Sequence, residues 1–300
     1  MIRSILVPLD GSHFSEMALP VAVDLARKAH ASVRLVMVHE PILAMVPAWS
    51  EKEEPEERAH ELEYLTGLAA GVDLHGTAPT YEVIVGDART ALLETAEQSL
   101  ADLIVMATHG RGAFSRFWLG SVADHVMRHA TVPVLLIRPL TGVGRTTNGC
   151  GYRNILVALD LSKASEAILE PVKAFARLNQ AQLTLVNVVE PAGSMASYPM
   201  PAYGDAGRLE TQRVDAQGYL DGLAARLRTE GLSVATRVVL GVGIATQLLE
   251  LLQKGHFDLV ALTTSGAGGL QRVIVGSVAD KVVRGAEKPV LVLRPGESPA

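Results

Sequence analysis

The stretch DLIVMATHGRGAFSRFWLGSVADHVMRHATVPVLLIRP (Asp102–Pro139) runs from an apolar segment through a glycine-bearing loop and a helical pattern into a second apolar segment. The same order returns in DLVALTTSGAGGLQRVIVGSVADKVVRGAEKPVLVLRP (Asp258–Pro295), 156 residues further on. In each, one glycine (Gly110, Gly266) is followed after nine residues by Gly-Ser (Gly120-Ser121, Gly276-Ser277), although the residues between them differ. Loop length is therefore held where loop composition is not.

The repetition extends outward. ILVPLDGS at Ile5 is echoed by ILVALDLS at Ile155, and LVMVHEP at Leu35 by LVNVVEP at Leu185, both 150 residues apart. The six extra residues of the second copy must fall between these segments and the third. A fixed internal period is the first thing to settle, because it sets the fold. Each copy has an ordinary domain size. The residues from Thr141 to Asn154 are rich in Gly, Thr and Asn, as linkers are. The expected division is residues 1–140, a linker at 141–152, and residues 153–300.

Short Val, Ile and Leu runs in the first copy (SILVPL, SVRLVMV, TYEVIV, LIVMAT, PVLLIR) suit strands buried on both faces. Helical patterns alternate with them in SEMALPVAVDLARKA, ARTALLETAEQSLA and SVADHVMRHA, with Pro20 a blemish in the first. Such alternation predicts an α/β chain of two tandem doubly wound domains. Each would carry a five-stranded parallel sheet flanked by helices, Rossmann-like in plan.

Hydrophobic residues make up 48% and charged residues 20% of the 300, enough for two cores and too apolar for general disorder. No run of about 18 apolar residues suggests a membrane span, and the apolar run before Asp10 is too short for a secretory signal, so the expected location is the cytoplasm. A lone cysteine, Cys150, excludes an internal disulfide and reads as a bystander in the linker. A net charge of −5 argues against nonspecific nucleic-acid binding. Much of the acidity lies in SEKEEPEERAHELE (Ser50–Glu63), read as a solvated helix face or loop. The runs MVPAWSEKEEPEE and GSMASYPMPAYGDAG are expected to be long mobile loops.

In doubly wound sheets ligands bind beyond the carboxyl ends of the strands, where the strand order reverses. The loop after LIVMAT meets that condition. Gly110 can take positive φ and lets backbone approach a ligand, and Gly120 is expected to have the same freedom. The helix beginning near Ser121 offers unpaired N–H groups, which suit phosphate. A second reading stands beside this one: Ser-Val-Ala-Asp (Ser121–Asp124, Ser277–Asp280) also has the form of a capping box. Asp10 and Asp160, at the ends of the first strands, read equally as ligand contacts or turn starters. Neither copy has a G-x-x-x-x-G-K-[ST] loop or a G-x-G-x-x-G after its first strand, which disfavours P-loop NTPases and dinucleotide oxidoreductases. His125 and His129, spaced i, i+4, lack a third ligand and read as helix-terminal residues rather than a metal pair. His109 has Ser265 as its counterpart, so a mechanism shared by both copies cannot require it. Arg111, Arg116 and Arg272 read as solvated or phosphate-facing.

Taken with ILVPLD at the first strand and PVLLIRP at the last, both halves resemble the universal stress protein family in its tandem two-domain form. The family's nucleotide-binding pattern is Gly, two residues, Gly, nine residues, Gly, then Ser or Thr. This chain departs from it at the first position, with Ala107 in one copy and Thr263 in the other. The resemblance implies an adenine nucleotide, ATP or AMP/ADP, with Mg2+ compatible with its phosphates. It implies binding residues Pro8, Asp10, Val38, Ala107, Gly110, Arg111, Gly120, Ser121 and Val122 in the first copy. Their counterparts are Ala158, Asp160, Val188, Thr263, Gly266, Gly276, Ser277 and Val278. The branched Thr263 makes the second site the poorer one. The implied role is a stress-response protein whose nucleotide governs partner interactions. Alternatives are a nucleotide-independent interaction module with degenerate pockets, or a slow ATPase. The hydrophobic last strands have edges that need covering; the resemblance implies that they pair, here between the two halves about a pseudo-twofold axis, and a homodimer is also compatible.

Overall fold

The structure is a computed structural model that describes residues 1–41, 53–108, 119–138, 151–191, 205–264 and 275–296. The chain separates into two compact units, Met1–Cys150 and Gly151–Ala300. Cys150 and linker residues 141–150 lie outside the described residues.

The first unit runs β1 (Ser4–Leu9), α1 (His13–Glu16), α2 (Ala18–Ala29), β2 (Ser32–His39), α3 (Glu53–Ala70), β3 (Thr80–Val85), α4 (Ala88–Gln98), β4 (Leu103–Ala107), α5 (Ser121–His129) and β5 (Val134–Ile137). Its strands are all parallel, in the order β3-β2-β1-β4-β5. The order reverses between β1 and β4, so Asp10 and Thr108 leave neighbouring strands at the same end of the sheet. Ile5, Leu6 and Val7 on β1 and Ile104 and Val105 on β4 are fully buried. At about 1.5–3 kcal/mol for each large apolar side chain taken from water, these central strands anchor the unit.

The second unit repeats the plan: β6 (Asn154–Ala158), α6 (Lys163–Glu166), α7 (Leu169–Asn179), β7 (Gln182–Val189), α8 (Asp205–Thr229), β8 (Ser233–Leu240), α9 (Ile244–Lys254), β9 (Leu259–Thr263), α10 (Ser277–Gly285) and β10 (Val290–Leu293). Its parallel order is β10-β9-β6-β7-β8, reversing between β6 and β9. The chain is thus a tandem of doubly wound α/β units.

Two sequence expectations change in detail. The first helical pattern divides at Met17 into α1 and α2. Pro20 falls in the first turn of α2, where its missing N–H costs no intrahelical bond, and Pro171 sits likewise in α7. The end of the run MVPAWSEKEEPEE, expected as loop, is helix from Glu53 onward, which agrees with the helix-face reading of the acidic stretch. Likewise Asp205–Gly207 already belong to α8.

Asp102 and Asp258, the first residues of the repeated DLI and DLV segments, lie at the opposite end of each sheet. Asp102 Oδ2 accepts the backbone N–H groups of Arg3 (2.7 Å) and Ser4 (3.2 Å), and Asp258 Oδ2 accepts those of Arg153 and Asn154 (both 2.9 Å). They fasten the start of each central strand.

Candidate functional site

The site grows from two chain segments at the reversal point. After β1, the backbone N–H and hydroxyl of Ser12 both donate to Asp10 Oδ1 (3.0 and 2.6 Å). This closes a tight turn through Gly11, whose φ is 77°. Ser12 caps α1 by accepting from the Ser15 N–H, and the Ser15 hydroxyl donates back to the Ser12 carbonyl. The second unit repeats every bond: Asp160 Oδ1 accepts from Ser162 N–H (3.0 Å) and hydroxyl (2.6 Å), and Ser162 caps α6. The residue between is Leu161, held at φ 67°. Of the two readings of these aspartates, the turn is directly visible.

The second segment follows β4. Thr108 is buried; its N–H donates to Ile137 and its carbonyl accepts the Gly120 N–H at 2.8 Å. Thr264 does the same, donating to Leu293 and accepting from Gly276 at 2.7 Å. The residues that bound the loop are thus tied to each other in the same way in both units. Gly110, Arg111, Gly266, His109, Arg116 and Arg272 lie outside the described residues.

Gly120 is the N-cap of α5 and brings no side-chain hydrogen bond to it; Gly276 is the equally bare cap of α10. The first intrahelical bond runs from Asp124 N–H to the Gly120 carbonyl (2.8 Å), so the amides of Ser121, Val122 and Ala123 precede the helical ladder. The capping-box reading is corrected: Ser121 and Ser277 are the first helical residues, not the caps. Asp124 grips Arg128 one turn on (2.6 and 2.8 Å), as Asp280 grips Arg284 (3.0 Å). The positive φ expected of Gly120 is also corrected. Its φ is −58° and that of Gly276 is −59°, values any residue adopts. A Cβ on Gly120 would stand 3.4 Å from the Thr108 carbonyl oxygen, and one on Gly276 3.5 Å from that of Thr264. Among the described residues, no steric clash explains glycine at either place.

Pro8 and Ala158 lie on the first strands, two residues before the aspartates, and Ala107 and Thr263 are the buried last residues of β4 and β9. Val122 and Val278 are half-buried in the first turns of α5 and α10. Val38 and Val188 lie further out, near the ends of β2 and β7. Ser121 and Ser277 are exposed. The sheet order thus gathers the β1, β4 and α5 residues at one end of the first unit, and their counterparts at one end of the second.

An open cleft of about 410 Å3 lies elsewhere, between β3 and α4. Glu82, Asp87 and Glu94 line it, and its Arg34 is already paired with Glu82 at 2.9 Å, so it does not suit an anion. Asp87 caps α4, and its hydrogen bonds from Arg89 and the Thr90 N–H bring its pKa to about 2. His125 and His129 stack with centroids 4.0 Å apart, and His129 Nδ1 lies 2.8 Å from the His125 carbonyl oxygen. Burial, the neighbouring His129 and Arg89 lower the pKa of His125.

Two features escaped the sequence reading. Tyr64 on α3 donates to Glu16 at the end of α1 (2.9 Å), and Tyr219 on α8 donates to Glu166 at the end of α6. Burial of the Tyr219 phenol, with Glu166 beside it, pushes its pKa well above the ordinary value. Burial opposes ionisation of Glu166, yet the bonds from Lys163 and Tyr219 and the charge of Arg226 hold its pKa below the usual range. The signal was present: YLTGLAA at Tyr64 and YLDGLAA at Tyr219 repeat 155 residues apart. The second feature is unique to the first unit. His39, 5% exposed at the end of β2, meets Glu61 through Nδ1 at 3.1 Å, while its buried Nε2 has no hydrogen-bond partner among the described residues. The corresponding residues of the second unit are Val189 and Ala216.

A bare helix start beside a strand-end aspartate turn, built twice at the reversal points of parallel sheets, defines a tandem Rossmann-like protein with two candidate anion sites. The chain belongs to the universal stress protein family, whose model matches residues 1–138 and again 151–294. A protein named as a universal stress protein in Staphylococcus aureus (strain USA300) is 34% identical over 150 residues, covering 50% of this chain and 88% of the relative. Among solved structures, a universal stress protein from Archaeoglobus fulgidus DSM 4304 matches with a TM-score of 0.69 and 20% identity, covering 98% of this chain and 97% of its own. A functionally unknown protein from Pseudomonas aeruginosa PAO1 matches with a TM-score of 0.64 and 18% identity, covering 98% and 93%. These structural likenesses speak to the fold. Among the described residues no helix is long and apolar enough to cross a membrane.

Proposed function

We propose that the first unit binds an adenine nucleotide, ATP or its products ADP and AMP, with the phosphates on the first amides of α5 and the nucleoside toward the ends of β1 and β2. The observation that carries this reading is the bare start of α5. Gly120 adds no side chain to the cap, and no described contact demands glycine there. Such a helix start presents N–H groups and the positive end of the dipole to an anion. The exposed Ser121 hydroxyl adds a donor beside them, and Asp10 stands on the adjacent strand. Gly110 and Arg111 join this site on the strength of the sequence pattern. Mg2+ would arrive with the phosphates.

The second unit has the same bare start but two obstructions near the strand ends: Leu161 where the first has Gly11, and Thr263 where the first has Ala107. On this reading it binds nucleotide more weakly and serves as an interaction module. The role of the whole chain is a stress-response binding protein, located in the cytoplasm, in which nucleotide occupancy of the first unit changes the surface offered to protein partners. Any ATP hydrolysis is slow.

Mass spectrometry of small molecules released gently from the purified chain tests the reading. An adenine nucleotide should accompany the wild type and Gly276→Val and be missing from Gly120→Val. The reverse pattern moves the site to the second unit. No nucleotide in any of them, even after soaking in millimolar ATP, overturns the reading.

A further inference from the structure

We propose that Tyr64 is a positioning residue for the nucleotide site of the first unit, acting through Glu16 on the Asp10 turn, and that Tyr219 is not its equal in the second. The inference rests on the nucleotide reading above. Its basis is an unbroken run of bonds. Asp10 is held by Ser12 at 3.0 and 2.6 Å, and the Asp10 N–H reaches the Ser15 hydroxyl at 3.3 Å. Ser15 is bonded to Ser12 in both directions, at 3.2 and 2.9 Å, and the Glu16 N–H donates to the Ser12 carbonyl at 3.3 Å. The whole of α1 is four residues long, so it carries the turn as one piece. Its last residue, Glu16, accepts from Tyr64 on α3 at 2.9 Å. A tyrosine 48 residues away in sequence thereby fixes the angle at which the aspartate turn leaves β1.

The two units differ in what else holds the glutamate. Glu166 also accepts from Lys163 at 2.6 Å and pairs with Arg226 at 3.3 Å, and its side chain is 12% exposed. Among the described residues Glu16 has, besides Tyr64, His13 3.9 Å away, a partner only when protonated, and its side chain is 33% exposed. Removing one hydroxyl therefore loosens Glu16, and with it the end of α1, in the first unit and leaves Glu166 held in the second.

Tyr64→Phe deletes that hydroxyl and keeps the ring. In hydrogen exchange on the ligand-free full chain, the amides of Ser12 and Ser15 should exchange about fivefold faster in Tyr64→Phe, the size expected for an ordinary hydrogen bond. The amides of Ser162 and Ser165 in Tyr219→Phe should keep their wild-type rates. In calorimetric titration with ATP, affinity should fall about fivefold in Tyr64→Phe and in Glu16→Ala, with the double variant no worse than either alone. Glu16→Gln, which still accepts from Tyr64, should restore it. A residue with a merely structural role would lower the melting temperature without this non-additivity or rescue. Unchanged exchange in Tyr64→Phe, or equal effects of Tyr64→Phe and Tyr219→Phe, overturns the proposal whether or not ATP binds. Normal exchange behaviour with no ATP binding to the wild type overturns the nucleotide reading, and the positioning role with it.

Discussion

The buried His39–Glu61 pair can be compared with its own apolar replacement, because the second unit carries Val189 and Ala216 at the same places. In Glu61→Ala the ring, 5% exposed, loses the one partner recorded for Nδ1, and Nε2 already has none among the described residues. Leaving a buried polar group unsatisfied costs about 1–3 kcal/mol. In His39→Val the remaining Glu61 side chain, 22% exposed, can turn to water, so the cost should be about 1 kcal/mol. Making both changes reproduces an apolar pair this fold already uses, and replacing a buried polar pair by apolar residues is often neutral or stabilising. The double variant should therefore lie within about 1 kcal/mol of the wild type, giving a coupling of roughly 1–2 kcal/mol. Urea unfolding followed by hydrogen exchange at the buried β1 and β4 amides reports the first unit alone. With a slope of about 2 kcal/mol per molar urea, Glu61→Ala should lower the midpoint by about 1 M and the double variant by less than 0.5 M. A double variant as unstable as the sum of the singles would refute the reasoning, since it would mean that the two side chains contribute independently and are not coupled.

Two further predictions concern stability. His125 has a pKa lowered from 6.5 by burial, His129 and Arg89, so the unfolded chain binds its proton more readily; its contribution is complete above about pH 6.5 and is lost as pH falls toward the lowered value. His125→Gln should flatten the fall in urea midpoint between pH 7 and pH 5, and an unchanged slope would contradict this. Gly11 has a φ of 77°, so Gly11→Val should destabilise the first unit by about 1–3 kcal/mol. Gly11→Leu should cost about 1 kcal/mol, since the second unit holds Leu161 at φ 67°; equal effects would show that backbone conformation is not the constraint.

The strands were legible because their apolar runs are buried on both faces. TYEVIV and SILVPL match β3 and β1 residue for residue, and the reversal point followed from the alternation of strands and helices. The longest helices, α3 and α8, were not. Their solvent-facing residues are strongly polar, so the apolar stripe is faint, and the repeated YLTGLAA and YLDGLAA went unused. At the site, Ser121 has the residue type and spacing of a cap, yet Gly120 takes that place. Its N–H is bound by Thr108, which closes the loop one residue before the serine. No pattern in the local sequence distinguishes these two starts, because the deciding bond comes from the end of another strand. Aspartates at strand ends carry the same ambiguity: the bond to Ser12 is local and foreseeable, whereas a ligand role depends on what the neighbouring strand brings alongside.

The most direct test is calorimetric titration of the intact chain with ATP, beside Gly120→Val and Gly276→Val. The account predicts close to one tight site per chain, abolished by the first substitution and spared by the second. Undiminished binding in Gly120→Val would contradict the claim that the bare first turn of α5 receives the phosphates.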